Sequence, residues 1–168
     1  MSLEDIDALR KLMKTASPSG RGSYLEDGRH ILQVKAAQCK RTNFEGKWKE
    51  AYILEFTVVQ STNPTHEVGS TRSYVENPEN LGWLTRFKPA LAALAGVNPY
   101  AKISQEDEET IADMIAALRY DEFRKSKQWP ENFLVGRMCE CEGSPGKSKN
   151  GTPITNKKWA PYEPPAGE

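Results

Sequence analysis

"WKEAYILEFTVVQST", residues 48–62, alternates with a period of two. Tyr52, Leu54, Phe56 and Val58 fall on one side, and Ala51, Ile53, Glu55 and Thr57 on the other. Successive strand side chains point to opposite faces, and aromatic and β-branched residues suit that geometry. The stretch therefore reads as a strand with one face in a core. Working outward, "NFEGKWK" before it is a turn in which Gly46 supplies the permissive backbone. Before that, "GRHILQVKAAQCKRT" (residues 28–42) sets His30, Leu32, Val34 and Ala36 against Arg29, Ile31, Gln33 and Lys35, a second strand pattern. Downstream, "NPTHEVGS" is a loop and "VGSTRSYVE" (residues 68–76) a third strand, with Gly69 as a bulge or bend.

The period then changes. In "LGWLTRFKPALAALAG" (residues 81–96), Trp83, Leu84, Phe87, Leu91 and Leu94 recur at helical spacing. Asn80 is the expected cap, Gly96 the stop, and Pro89 is expected to kink or break the helix. A second helix is expected from about Glu106 to Leu118, with Ser104 as its cap and acidic residues in its first turn. Alternation returns in "FLVGRMCECEG" (residues 133–143), and "GKSKNGTPITNKKWAP" (residues 146–161) supplies a turn and a last strand over residues 153–160. Residues 2–15 read as a short amphipathic helix and residues 16–23 as a linker. The expected organisation is an N-terminal helix and linker (1–23), a domain (24–161) with a helical insertion near 79–122, and a flexible proline-rich tail (162–168).

Composition sets the limits. The chain has 168 residues, 38% of them hydrophobic and 27% charged, with 23 basic and 23 acidic side chains. That fits one domain with polar loops, and the net charge of zero favours no partner. Its distribution is uneven: residues 35–49 carry a net +4 and residues 104–122 a net −6. No apolar stretch is long enough to span a bilayer, and the charged start is unlike a signal peptide. Three cysteines make no disulfide framework, so the expectation is a soluble cytoplasmic protein.

Three strands, a helical insertion and two more strands form the connectivity of the OB fold. The expected fold is therefore mainly β with α, a five-stranded Greek-key barrel with the insertion between strands 3 and 4. In that fold the loops joining strands 1–2 and 4–5 flank the ligand groove. Here those loops hold most of the locally unbalanced positive charge, and each has a tryptophan. Cations that track phosphates, interleaved with rings that stack on bases, suit binding to single-stranded nucleic acid. The expected binding set is Lys35, Lys40, Arg41, Phe44, Lys47, Trp48 and Lys49 on the first hairpin and Arg72 and Tyr74 on the third strand. Lys147, Lys149, Lys157, Lys158 and Trp159 complete it on the last hairpin. The plainer alternatives are a lysine-rich edge that only resists aggregation, and a Trp48 turned to the core, since it shares the parity of Tyr52 and Leu54.

The acidic second helix is expected to lie away from a phosphate-binding groove. Cys139 and Cys141 with Cys39 or His30 are a possible zinc set. Paired C-x-x-C knuckles are missing, however, so buried thiols and no bound metal or cofactor are expected. No nucleophile elbow, P-loop, HExxH or catalytic carboxylate set is present in the sequence, and no enzymatic activity is expected.

The layout of "GRHILQVKAAQCKR", "KEAYILEFTVVQS", "WLTRFKPALAALAG" and "FLVGRMCECEGSPGKSKNGTPITNKKWAP" resembles bacteriophage single-stranded-DNA-binding proteins of the OB-fold type, over roughly residues 28–161. The resemblance implies a DNA-coating role in phage DNA replication or recombination in the host cytoplasm, with replication or recombination proteins as further partners. Many such proteins end in an acidic tail that recruits partners. "PPAGE" has one acid, so that route is not implied here. The alternatives are an RNA-binding protein, and an interaction module or virion component that uses the same barrel without nucleic acid.

Overall fold

The computed structural model describes residues 24–147 and 150–164. The expected N-terminal helix and linker lie outside these residues. Five strands form one antiparallel sheet: β1 (Gly28–Phe44), β2 (Lys47–Ser61), β3 (Thr71–Glu76), β4 (Met138–Lys147) and β5 (Pro153–Pro161). Between β3 and β4 lie α1 (Trp83–Leu94), α2 (Gln105–Arg119) and α3 (Asp121–Ser126). The strand order is β3-β2-β1-β4-β5, and the sheet is not closed: no ladder joins β3 to β5 among the described residues.

β1 makes this arrangement possible. Its first residues pair with β4, from Gly28↔Gly143 to Gln33↔Met138, while β2 pairs with it from His30 to Phe44. Register shifts near Ile31 and between Val34 and Ala36 bend the strand, as an extra residue on one side of a ladder does. The β1–β2 hairpin closes through Glu45 and Gly46, both at positive φ (52° and 79°). That is the backbone of a two-residue turn whose twist matches that of the flanking strands.

The inward residues predicted from the alternation are the core: Leu32, Val34, Tyr52, Leu54, Phe56 and Val58 are all buried. α1 covers them with Phe87, Ala90, Leu91 and Leu94. Instead of breaking at Pro89, α1 runs through it. The proline removes one backbone bond, and the buried helical face on both sides of it keeps the helix packed on the sheet. Its N-cap is Gly82, not Asn80. α2 begins where predicted, with the Ser104 side chain accepting from the Asp107 N–H at 3.2 Å. β3 starts after Gly69, which sits in the preceding turn, and β4 starts five residues later than the alternation suggested.

The edge of β3 is partly occupied by residues 24–27. Tyr24 bridges Ser73 in parallel, and the Leu25 N–H donates to the Ser73 carbonyl at 3.3 Å. A buried cluster holds this segment. His30 and His66 stack with centroids 4.4 Å apart. His30 Nε2 donates to the Glu26 carbonyl at 2.9 Å, and His66 Nε2 accepts from the Glu26 N–H at 3.1 Å. Arg72 donates to the Tyr24 and Thr65 carbonyls. Gly143 faces the same segment, and a Cβ there would collide with the Glu26 carbonyl oxygen. Both imidazoles are held neutral by burial, with the His66 pKa lowered to about 4 and Arg72 adding to both shifts.

Candidate nucleic-acid interface

The β1–β2 hairpin outruns its neighbours. β3 pairs with β2 only as far as Tyr52↔Glu76, and β4 leaves β1 at Gln33, whereas the β1–β2 ladder continues to Phe44↔Lys47. Beyond Cys39↔Tyr52 five more pairs form a two-stranded ribbon, about 17 Å long at ~3.3 Å per residue. Lys47 and Lys49 are exposed on it, and Lys40 is half-buried. Trp48 keeps the parity of Tyr52 but lies past the end of the core, and it is 65% exposed. Arg41 lies over its ring at 5.6 Å, so the indole is oriented by a cation on one side.

The base of the ribbon meets the C-terminal end of α2. Glu50, opposite Arg41 in the ladder, accepts from Arg41 Nε at 3.2 Å and from Arg119 Nη2 at 3.0 Å, both on Oε1. Arg119 in turn lies over the exposed ring of Tyr120 at 5.1 Å. Arg119 and Tyr120 were absent from the expected set. Their only signal in the sequence is a basic residue closing an acidic helix, where it complements the helix dipole. Burial first, and then the Glu50 charge, raise the nearby Cys39 thiol above its ordinary pKa. The acids that open α2 lie about 18 Å along its axis from Arg119, and Glu108 is paired with Lys88 at 2.6 Å.

The second basic hairpin differs. Past Gly143↔Lys157 it too is two-stranded, but it leaves β1 at the opposite end from the first. Trp159, expected to stack bases, is instead a core residue at 2% exposure. Its ring packs on Tyr74 at 5.1 Å and on Phe56 at 5.9 Å, because β5 turns it beneath the sheet towards α1. Tyr74 is likewise buried, and its hydroxyl donates to Glu76 at 2.6 Å. Arg72 belongs to the histidine cluster, 3% exposed. These three are corrections to the expected set.

Lys157 lies 5.3 Å from the Tyr74 ring, in a slot of ≈ 540 Å³ between the β3 and β5 edges, and burial lowers its pKa. Lys147 and Lys158 are exposed, and Lys158 lies 5.9 Å from the Tyr100 ring. Lys35 is exposed on the outer face and donates to Thr71 Oγ1 at 3.1 Å. Phe44 is the last residue of β1, opposite Lys47, and Lys149 lies outside the described residues.

Cys139 and Cys141 are buried on one face, opposite Leu32 and His30, with the Cys141 pKa raised to about 12 by burial. Cys39 is seven strand positions from Leu32, about 23 Å along β1, so the three thiols do not come together. Among the described residues no group of three His, Cys, Asp or Glu is placed to hold a metal, and no helix is long and apolar enough to cross a membrane. No protein-family model and no curated protein sequence matches this chain.

Proposed function

We propose that this protein binds single-stranded DNA without strong sequence preference, using the overhanging β1–β2 ribbon as its principal contact. The observation that carries the reading is the exposed Trp48, braced by Arg41 and flanked by Lys47 and Lys49 on a ribbon that projects past the core. A ring with an exposed face and the Arg41 guanidinium beside it can stack one base and contact a phosphate, while Lys47 and Lys49 on the ribbon's other face add positive charge, and neither interaction depends on base identity. The strand order supports an OB-type reading. β4 follows a long connection and lies beside β1, an order compatible with a Greek key. The outer strands β3 and β5 approach closely enough for Tyr74 and Trp159 to touch, which is compatible with a barrel left open at one seam. A place in phage DNA replication or recombination follows from the sequence resemblance alone.

The test is a salt titration with oligo-dT, duplex DNA and RNA of equal length. For oligo-dT, log K is expected to fall linearly with log salt, at about −0.7 per phosphate neutralised. Binding indifferent to salt, or preferring duplex, would remove the reading. Preference for RNA would transfer it to the alternative polymer, since stacking and phosphate contacts do not reject ribose.

A further inference from the structure

Glu50 holds two guanidiniums on a single carboxylate oxygen, Arg41 from its own ribbon and Arg119 from 69 residues away. Its side chain is 14% exposed, whereas those of Arg41 and Arg119 are 53% and 39% exposed. The carboxylate is therefore the inner member of the cluster, and the arginines reach it from the solvent side, where much of each guanidinium-bearing side chain stays exposed. Each is also held against an aromatic ring, Trp48 or Tyr120, which constrains the guanidinium plane. A carboxylate and a phosphodiester offer a guanidinium fork the same paired-oxygen geometry.

Building on the single-strand reading, we propose that Arg41 and Arg119 form a phosphodiester site and that Glu50 occupies it in the free protein as an internal competitor. A nucleic-acid phosphate entering between Trp48 and Tyr120 takes over guanidinium donors from the carboxylate. The two rings then stand on either side of that phosphate, placed for the bases that flank it. The cluster carries one net positive charge with Glu50 in place. The arginines would otherwise supply two, so the carboxylate weakens binding and keeps the arm from capturing anions indiscriminately.

The test measures oligo-dT affinity and its salt dependence for the wild-type protein, Glu50→Gln, Arg119→Gln and the double variant. Glu50→Gln is expected to bind about tenfold tighter with a salt slope steeper by about 0.7. Arg119→Gln should bind more weakly with a shallower slope, and the Glu50→Gln gain should shrink in its background. If Glu50 is only a brace for the ribbon, Glu50→Gln binds equally or more weakly; that result overturns the proposal and leaves the single-strand reading standing. Should Glu50→Gln fail to fold, Arg119→Gln decides alone: unchanged affinity and slope overturn the proposal. Wild-type protein that binds no oligonucleotide would overturn the single-strand reading and this inference together.

Discussion

Trp48 and Trp159 each sit next to lysine in a basic hairpin, yet one is 65% exposed and the other 2%. The difference lies in what runs alongside. Trp159 is opposite Cys141, where β4 is still paired to β1 and the core still has a floor and a lid. Trp48 is four residues beyond Tyr52, the last β2 residue to pair with β3, and its ladder has no further strand on either side. Parity assigns a side chain to a face of a strand. Whether that face is buried depends on how far the neighbouring strands extend.

The largest expected effect breaks the comparison on the stability side. Trp159→Ala removes a ring packed on Tyr74 and Phe56 and should cost about 3–5 kcal/mol of folding stability, measured by urea denaturation. Loss of oligonucleotide affinity with stability unchanged would return Trp159 to the interface.

A second measurement sharpens the contrast between scaffold and arm. Both buried histidines have folded pKa values below the ordinary 6.5, His66 at about 4, so the unfolded chain binds protons more readily than the native one. Stability should thus be fully present above about pH 6.5 and decline as the pH falls towards 4. His30→Gln,His66→Gln protein should lose that slope, as read by thermal melts from pH 7 to 4. The ribbon beyond Cys39 contains no histidine, so emission from a protein retaining only Trp48 should stay constant until the scaffold melts.

The smallest expected effect is the most informative about function. Trp48→Ala should weaken oligo-dT binding by ~1–3 kcal/mol while changing stability by no more than about 0.5 kcal/mol. A marked drop in melting temperature would make Trp48 a packing residue like Trp159.

The strands were legible because Tyr52, Leu54, Phe56 and Val58 repeat at a period only a strand shares, and α2 because Ser104 precedes an acidic first turn. The open sheet, the burial of Arg72 and Tyr74 and the meeting of Glu50 with Arg119 were not legible. Each depends on contacts between segments far apart in the chain, which local spacing does not encode. The candidate site was half legible: Arg41, Lys47, Trp48 and Lys49 share a short hairpin, whereas Arg119 and Tyr120 reach it only through the fold. Pro89 shows the converse, a strong local signal that the packing of α1 overrides.

The single-ladder ribbon also bears on how the protein moves. Opening the rungs beyond Cys39↔Tyr52 exposes little apolar surface and breaks ladder bonds to one strand only, with the Glu50–Arg119 pair as a further tie to α2, so it needs far less free energy than global unfolding. The arm can open and re-form while the sheet and α1 stay folded. On the proposed reading, a strand of DNA laid along it would select the closed rungs, and part of the binding free energy would go into ordering the arm. Stiffening the Glu45–Gly46 turn would then raise affinity without adding a single contact to the ligand.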